Sequence, residues 1–424
     1  MGSDFYIKNG LVVDPVEGTA ERRDLFVLDG VIVSPPKVIS DEVEVIDAEG
    51  LIVVPPFIDI HVHFREPGGE AAETIASGCR AAVAAGFGTV VTMPNTLPPT
   101  DTPELVRKQI EAGRQQGGVK VWPSACITRG RGGVELTDMA ALAGAGAVCF
   151  TDDGSTVMDD ALMRGAMEVA AGLGLPIMDH AQRSGDEKRG VMHESAMSAE
   201  LGLPGIPVEA EAEIVERDIR LAAETGCALH IQHVSAAASV ELIRAAKADG
   251  IKVTAEVTPH HIALCDRDVR VDDANFKMNP PLRSLVDQTA LRHAVRDGVI
   301  DCFATDHAPH VSMHKERGFR RAPFGVLGLE TAIGVTYTEL VAMGEISLLD
   351  WVRCWTVKPM AVLGRGYTSL NEGERGDVML LDVDTHWFVD SEEFRSLSKN
   401  TCFEGRELRG SAVRIFLRDE GILS

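Results

Sequence analysis

Two histidines and an arginine alternate with apolar residues in the segment FIDIHVHFREP, residues 57–67. Side chains two positions apart on a β-strand point to the same face, so His61, His63 and Arg65 are predicted to lie side by side. Paired imidazoles are suited to binding zinc or another divalent ion, and a guanidinium is suited to binding a carboxylate. A single His-x-His pair is weak support for a metal site, because buried histidines often have structural roles.

Further metal-binding side chains follow apolar runs later in the chain, at Asp152, Asp153, His180, His233 and Asp306, with His310 just beyond. Taken singly, each residue is as well explained by a buried, hydrogen-bonded histidine or by an aspartate that caps a helix. Four imidazoles and two carboxylates that converge would instead hold one or two divalent ions. Their combination favours a metal-dependent active site.

Eight β-like runs that alternate with helical patterns must position these side chains. The runs are residues 57–64, 89–94, 119–126, 147–152, 175–180, 228–234, 252–258 and 301–305. Helical patterns at 209–225 and 237–249 are followed by Gly226 and Gly250, as helix ends often are. This alternation predicts an α/β fold with a (β/α)8 TIM-type barrel, whose active site lies at the carboxyl ends of the strands. An open doubly wound sheet is disfavoured, because no glycine-rich phosphate fingerprint follows the first strand.

The two ends of the chain have a different pattern from the middle. Short alternating runs separated by turn signals occupy residues 4–54 and 376–418, and neither piece is large enough for a good core of its own. The two pieces are therefore predicted to pack together. The expected domains are a small β-sandwich from residues 1–54 plus 364–424 and a catalytic barrel from residues 55–363.

The composition restricts the class of partner. The 424 residues contain 41 Lys+Arg and 64 Asp+Glu, a formal charge of −23, which disfavours nucleic acid or an anionic membrane as partner. The eight cysteines include no CxxC pair, and the chain has no apolar run long enough for a membrane span and no signal-peptide pattern at its start. A cytoplasmic location is therefore expected. An anionic substrate would need local cationic groups, and Arg65 is a candidate.

Eight motifs run in order along nearly the whole chain: HVHFREPG (61–68), MPNT (93–96), FTDDG (150–154), DHA (179–181), QHVS (232–235), KMNPPLR (277–283), ATDHAPH (304–310) and APFG (322–325). Together they resemble the motifs of class I dihydroorotases, which belong to the amidohydrolase superfamily of metal-dependent (β/α)8 barrels. The resemblance implies reversible cyclisation of N-carbamoyl-L-aspartate to L-dihydroorotate plus water in pyrimidine biosynthesis.

The resemblance also implies roles for individual residues. It implies zinc, one or two ions per subunit with two favoured, and Asp153 as the bridge, although spacing alone leaves Asp152 as an alternative. Asp306 is the implied catalytic acid and base. The implied metal ligands are His61, His63 and Asp306 for one ion and His180 and His233 for the other. The implied substrate contacts are Arg65, Asn95 and His310 for the carboxylate, with Asn279, Pro323 and Gly325 for the ring amides.

Two other functions are weighed against this one. The first is another cyclic-amide hydrolase, such as an allantoinase or a dihydropyrimidinase. Many such enzymes bridge two metals with a carboxylated lysine after strand four, but no lysine occurs between Lys120 and Lys188 here, and Arg65 would lack a carboxylate partner. The second is an inactive scaffold for aspartate transcarbamoylase, which is disfavoured because every ligand position is filled.

Three features stay open at the level of sequence. A homo-oligomer is expected, with or without aspartate transcarbamoylase as a partner. Residues 311–321 are interpreted equally well as a solvated loop or as a mobile lid. His260, His261 and His307 are predicted to be structural.

Overall fold

A computed structural model describes residues 4–418 of the chain, so the outermost residues of the predicted sandwich, 1–3 and 419–424, lie outside the described part. Within it the strands are β1 (Phe5–Lys8), β2 (Leu11–Asp14), β3 (Thr19–Arg22), β4 (Leu25–Leu28), β5 (Val31–Val33), β6 (Glu44–Asp47), β7 (Ile52–Val54), β8 (Phe57–Val62), β9 (Phe87–Thr92), β10 (Lys120–Pro123), β11 (Ile177–Asp179), β12 (Met192–His193), β13 (Gly205–Ile206), β14 (Leu229–Ile231), β15 (Val253–Val257), β16 (Cys302–Phe303), β17 (Val378–Phe388) and β18 (Glu407–Phe416).

The helices fall between these strands. They are α1 (Ile75–Ala84), α2 (Pro103–Arg114), α3 (Met139–Gly144), α4 (Asp160–Leu173), α5 (Asp186–Arg189), α6 (Ala196–Glu200), α7 (Glu209–Thr225), α8 (Ala237–Ala248), α9 (Pro259–Ala263), α10 (Leu285–Arg296), α11 (Ser312–Lys315), α12 (Leu329–Thr336), α13 (Leu348–Trp355) and α14 (Val357–Val362). The predicted helix at 209–225 is confirmed, and Gly226 ends it in the left-handed conformation.

The central strands run parallel to one another in chain order. β8, β9 and β10 pair in sequence, as do β11, β14, β15 and β16. Single bridges from Phe150 to Ala125 and to Ile177 connect these two groups, and a bridge from Val62 to His307 joins the last segment to the first. β8 is buried along its whole length, as expected of a parallel strand covered on both faces. The α/β class predicted from the sequence is confirmed.

Most of the predicted strands are shorter than the sequence indicates, and two of them keep two residues or fewer in regular pairing. Residues 147–152 make only the bridges at Phe150, and residues 301–305 contain the two-residue strand β16. Both segments turn out of the ladder to present polar side chains: Asp152 and Asp153 after Phe150, and Asp306 after β16. Apolar character alone therefore overestimates how far regular pairing extends.

The two ends of the chain meet in two further sheets. One sheet has the order β5-β4-β1-β6, and the other has the order β18-β17-β7-β2-β3, so the carboxyl-terminal strands complete a sheet begun by the amino-terminal ones. One hydrophobic cluster takes residues from both sheets, including Ile7, Val27, Val53 and Leu380. The two ends of the chain therefore share part of a hydrophobic core.

Aromatic side chains fix the first strand against the helix that covers it. The ring of Phe57 in β8 lies 5.2 Å from that of Trp351, and Trp355 lies 5.2 Å from both Phe87 and Phe303. Such edge-on pairs contribute about 0.5–1.5 kcal/mol each beyond their buried area. Strands β8, β9 and β16 therefore share one rigid support under the segments that carry His61 and Asp306. Within residues 4–418, no helix is long and apolar enough to cross a membrane.

Candidate metal and substrate site

The first ligand cluster lies where β8 and β16 end. Ligand atoms of His61, His63 and Asp306 all lie within 4.8 Å of one another, and all three residues are buried. The Asp306 Oδ1 atom lies 2.9 Å from His63 Nε2 and 3.5 Å from His61 Nε2. Because Val62 pairs with His307, the two segments are neighbours although they are more than 240 residues apart in sequence.

Asp153 lies between this cluster and a second pair of histidines. Its Oδ1 atom is 3.3 Å from His61 Nε2, 3.7 Å from His180 Nδ1 and 4.0 Å from His233 Nε2. The rings of His180 and His233 meet at 2.8 Å between Nδ1 and Nε2. The carboxylate thus faces both halves of the site, which is the geometry that a bridging ligand needs.

Asp152, the alternative to Asp153, is turned away from the cluster. Its Oδ1 atom accepts hydrogen bonds from the backbone of Ile127 at 2.9 Å and of Thr128 at 3.1 Å, and its Oδ2 atom accepts from the Thr128 hydroxyl. Both of its carboxylate oxygens accept hydrogen bonds from the loop after β10. The geometry therefore supports Asp153, and not Asp152, as the ligand.

The site suits a cation on two independent grounds. His61 Nε2 is fully buried and has no hydrogen-bond partner among the described residues, although it points at the carboxylates of Asp153 and Asp306. Burial alone would lower the pKa of His61, yet Glu256 and Asp153 raise it well above its usual value. An unpartnered imidazole nitrogen in a strongly negative environment is well matched to a divalent ion.

The other two histidines, His180 and His233, are in the neutral state that a metal ligand requires. Burial lowers the pKa of His180 and lowers that of His233 well below its usual value. Both rings are therefore neutral at pH 7, and a neutral imidazole has the lone pair that a metal requires.

Two site residues have an unusual backbone. His233 has a φ of 30° and Asp306 a φ of 49°, in the left-handed region that non-glycine residues rarely adopt. Such conformations cost about 1–3 kcal/mol each and persist only where the surroundings enforce them. Both positions lie within three residues of the end of a parallel strand, and the turn there aims the side chain into the shared space.

A cavity of about 210 Å³ opens beside the ligand cluster and is lined both by predicted metal ligands and by predicted substrate contacts. Arg65 lines it, and its Nε donates to the carbonyl of Pro309 at 3.2 Å. Burial lowers the pKa of Arg65 to about 10, so the guanidinium stays charged at pH 7. Asn95 also lines the cavity and joins the two clusters, since it contacts His63 Nδ1 at 2.9 Å and Asp153 Oδ2 at 3.0 Å. The cavity thus places one fixed cation next to the metal ligands.

His310 lies on the same side of the cavity, but its ring is already engaged. Nε2 donates to the carbonyl of Phe324 at 2.7 Å, and burial together with Arg65 lowers the pKa of the ring to about 3. A neutral ring has only one N–H, so contact with a substrate carboxylate requires the ring to leave Phe324 or to gain a proton. Of the predicted carboxylate contacts, Arg65 has the most direct support.

Asn279 and Gly325, which are predicted to bind the ring amides, also line the cavity. Asn279 Nδ2 contacts His180 Nε2 at 3.1 Å, and its Oδ1 is buried with no hydrogen-bond partner among the described residues. Gly325 lines the cavity with a φ of 123°, and a Cβ there would come within 2.7 Å of Ala308. Pro323 is set back, and its carbonyl accepts from Lys315 at 3.2 Å while its neighbour Phe324 lines the cavity.

The segment at 311–321 is packed down more firmly than a solvated loop would be. Lys315 and Phe319 within it are buried, and Lys315 Nζ donates to the carbonyl of Gly325 at 2.8 Å. Its interpretation as a lid stays a prediction. His307 has a structural contact, since its Nδ1 accepts from the backbone of Gly328 at 3.3 Å.

Two carboxylates essential to this geometry were missed by the sequence analysis. Glu256 in β15 accepts from His61 Nδ1 at 2.7 Å, from His230 Nε2 at 3.0 Å and from the backbone of His233 at 3.2 Å. Asp59 in β8 accepts from the backbone of His61 and of Thr305 at 3.1 Å. Each is a lone carboxylate inside an apolar strand, VTAEV or FIDI, and that is the signal that could have found them.

Glu256 fixes the direction in which His61 presents its lone pair. Its bond to Nδ1 leaves Nε2 facing Asp153 and Asp306, and carboxylates that orient a ligand in this way strengthen metal binding. We expect Glu256→Gln to weaken metal affinity by about 10- to 100-fold, as measured by competition with a chromophoric chelator.

Glu211→Gln is the matched control for that measurement. Glu211 is equally buried and holds the loop after β14 through the backbone of Ser235 and Ala236, but it contacts none of the metal ligands. Equal loss of metal in both variants would show a general effect of buried charge and would remove the orienting role from Glu256.

Comparison with known proteins adds an independent line of information. A family model described as "Dihydro-orotase-like" matches residues 50–239. The dihydroorotase of Pelotomaculum thermopropionicum is 48% identical over 407 residues, which cover 96% of this chain and 95% of that protein. The dihydroorotase of Geobacillus sp. is 47% identical over 361 residues, covering 85% of this chain and 84% of that protein.

Solved structures with the same fold have different names. L-Hydantoinase (dihydropyrimidinase) from Arthrobacter aurescens is similar with a TM-score of 0.86 and 26% identity over 98% of this chain and 95% of that one. Dihydropyrimidinase from Brevibacillus agri is similar with a TM-score of 0.82 and 21% identity over 98% and 94% of the two chains, a likeness of fold alone.

Proposed function

This chain belongs to the dihydroorotase family, and from that membership we propose how its metal and substrate site works. The protein is a hydrolase of a cyclic amide C–N bond and interconverts L-dihydroorotate with N-carbamoyl-L-aspartate. The observation that carries the substrate assignment is the position of Arg65 in the same cavity as the histidine and aspartate cluster.

The metal ligands in this proposal are His61, His63, Asp153, His180, His233 and Asp306. The set contains imidazoles and carboxylates without thiolates, which suits zinc, and the position of Asp153 between the two halves supports two ions. A divalent ion bound there supplies a water with a lowered pKa and polarises the ring carbonyl. The chain's part is to fix the ligands, which Glu256 and Asn95 do through their hydrogen bonds.

Asp306 is proposed as the group that moves the proton. Its carboxylate lies within the cluster and also lines the cavity. In the hydrolytic direction it takes a proton from the attacking water and delivers it to the ring nitrogen as the C–N bond breaks. In the biosynthetic direction it takes a proton from the ureido nitrogen and returns it to the departing water. One carboxylate suffices because the two proton transfers follow one another.

The substrate is proposed to be bound by two sets of residues around the cavity. Arg65, with Asn95 and His310 beside it, receives the carboxylate, and a charged guanidinium can form a bidentate pair there. Asn279 and the backbone around Gly325, with Pro323 behind it, receive the ring amides; the unpartnered Oδ1 of Asn279 is a suitable acceptor for a ring N–H. A net-acidic protein can thus bind an anionic substrate through local positive charge.

We infer further that the eight parallel segments form the predicted (β/α)8 barrel. The pairing of Val62 with His307, which brings the last segment to the first, supports closure. The sandwich would then be built from the predicted segments 1–54 and 364–424. Association into homo-oligomers or with aspartate transcarbamoylase stays a prediction.

A dihydropyrimidinase-like activity is the second candidate, favoured by the likeness of fold to the hydantoinases. Steady-state assays of the purified protein with L-dihydroorotate, dihydrouracil and hydantoin distinguish the two. Dihydroorotate is expected to be the preferred substrate, because only its ring carboxylate pairs with Arg65. Preference for dihydrouracil or hydantoin would overturn the assignment.

Removal of the metal is expected to abolish activity without unfolding the protein. The strands that carry the ligands are held by a core of apolar side chains, including Phe57, Phe87 and Phe303, so chelation should leave the far-ultraviolet circular dichroism unchanged. Titration of the chelated protein with zinc should restore activity, and the endpoint gives the number of ions per chain. Full activity in chelator-treated protein of verified low metal content would contradict a metal-dependent reaction.

A further inference from the structure

The connection between β17 and β18 leaves its sheet and packs behind the loops that line the substrate cavity. Within it, Ser396, Ser398, Asn400 and Phe403 are buried. Phe403 packs in one hydrophobic cluster with Met278 and Val326, which flank the Asn279 and Gly325 positions. The connection between two strands of an outer sheet is therefore part of the wall behind the site.

Asn400 uses its whole side-chain amide to hold the two loops that carry the proposed substrate contacts. Its Oδ1 accepts from the backbone N–H of His310 at 3.0 Å. Its Nδ2 donates to the carbonyl of Ala308 at 3.1 Å and to that of Gly325 at 3.2 Å. The backbone carbonyl of Asn400 also accepts from Leu327 at 3.0 Å.

These contacts matter because the two loops touch each other directly. His310 donates to Phe324, and Gly325 approaches Ala308 so closely that a Cβ there would not fit. The loop at 308–310 would grip the substrate carboxylate, and the loop at 323–325 would hold the ring amides. Their separation therefore sets the distance between the two halves of the substrate's binding site, and Asn400 bonds to both loops.

We propose that Asn400 is a positioning residue for substrate binding, which sets the spacing of the His310 and Gly325 loops from outside the cavity. It does not line the cavity, and it touches none of the proposed metal ligands. Its effect should therefore fall on substrate affinity and not on the chemical step. The inference rests on the proposed substrate contacts, and it adds a residue to them.

The test compares Asn400→Ala and Asn400→Asp with the wild-type enzyme, using L-dihydroorotate as substrate. The alanine variant removes all three side-chain hydrogen bonds, while the aspartate variant keeps the acceptor for His310 and turns an anionic oxygen toward two carbonyls. Removing these hydrogen bonds should weaken substrate binding by about 1.4 kcal/mol or more, which corresponds to a tenfold change in affinity. KM should therefore rise about tenfold or more in both variants. Since uniform binding is lost, kcat should stay within about threefold, and metal content should be unchanged.

Thr401→Val is the matched control for destabilisation. Thr401 is the next residue, is equally buried, and its hydroxyl accepts from the backbone of Phe403 at 3.2 Å without touching either substrate loop. Its melting temperature should fall, while its KM should stay within about twofold of wild type, since a single neutral hydrogen bond contributes about 1 kcal/mol to stability. A KM rise in Thr401→Val equal to that in the Asn400 variants would reduce Asn400 to a structural residue.

Amide hydrogen exchange gives a second measurement that needs no turnover. Peptides covering 306–312 and 322–328 should exchange faster in Asn400→Ala than in Thr401→Val, because the N–H of His310 loses its acceptor. Unchanged exchange together with unchanged KM would overturn the proposal. If the wild-type protein failed to act on dihydroorotate, the proposed function would fail, while the exchange measurement would still decide whether Asn400 holds the loops.

Discussion

Asp306→Asn is expected to lower kcat by roughly 10²- to 10⁴-fold while the fold stays intact, the range typical of a lost general acid or base. The asparagine has almost the same shape, and its side-chain carbonyl can still contact His63, which Asp306 meets at 2.9 Å. It cannot, however, take a proton from water and pass it to the ring nitrogen. Loss of turnover should therefore exceed any loss of stability.

Steady-state kinetics, metal analysis and thermal melting of the same preparation test this result. The metal content of the variant shows whether a ligand or only the proton carrier has been lost. A variant that keeps its ions but does not turn over substrate has lost the chemical step. Asp301→Asn is the matched control. Asp301 precedes the same short strand at its opposite end, where it pairs with Lys247 at 2.6 Å and accepts from the backbone of Ala255 at 2.8 Å. Substantial turnover in metal-loaded Asp306→Asn would remove Asp306 from the acid–base role.

Arg65→Met is expected to produce the second large effect, and one that depends on the substrate. Truncating one partner of a buried charge pair costs about 2–5 kcal/mol, which is roughly 30- to 5,000-fold in kcat/KM. The loss should apply to L-dihydroorotate, because its carboxylate would lie in the cavity without a cation. Methionine keeps most of the length and packing of the arginine stem, so the change isolates the charge.

Dihydrouracil provides the internal control for this variant, since it has the same ring without the carboxylate. Its kcat/KM, however low in the wild type, should be unchanged or higher in Arg65→Met, because this ring has no carboxylate to pair with the guanidinium that it would desolvate. Arg65→Lys should recover only part of the loss, since an ammonium cannot form the bidentate pair. An equal loss on both substrates would show that Arg65 supports the structure of the site and does not select the carboxylate.

The likeness of fold to hydantoinases and the higher identity to dihydroorotases are compatible once fold and site are separated. Related barrels with different substrates share their scaffold, and the side chains at the strand ends decide the chemistry. In this chain the local features are the guanidinium of Arg65 in the cavity and the carboxylate of Asp153 after the fourth segment, where the sequence has no lysine between Lys120 and Lys188. The proposed preference for dihydroorotate therefore depends on the site and not on the architecture.

Much of the architecture could be read from the sequence because its signals are local. The helix at 209–225 was predicted to the residue, since its apolar period and the glycine after it are both written in the chain. The fourth segment was predicted as a full strand, but it makes only the bridges at Phe150. The segment leaves the strand ladder after Phe150, where Asp152 and Asp153 follow. An apolar run in the sequence does not show at which residue strand pairing stops.

The sequence by itself determined which side chains are available and in what order they meet the ends of the strands. Only the tertiary structure decided which of them face one another. It distinguished Asp153 from Asp152, because the turn after Phe150 aims the carboxylate of Asp153 at the histidines and that of Asp152 at the Thr128 backbone. It also revealed Glu256 and Asn400, whose partners lie 195 and 90 residues away. Contacts at such separations leave no periodic trace in the chain, since they depend on how strands and loops are brought together in space.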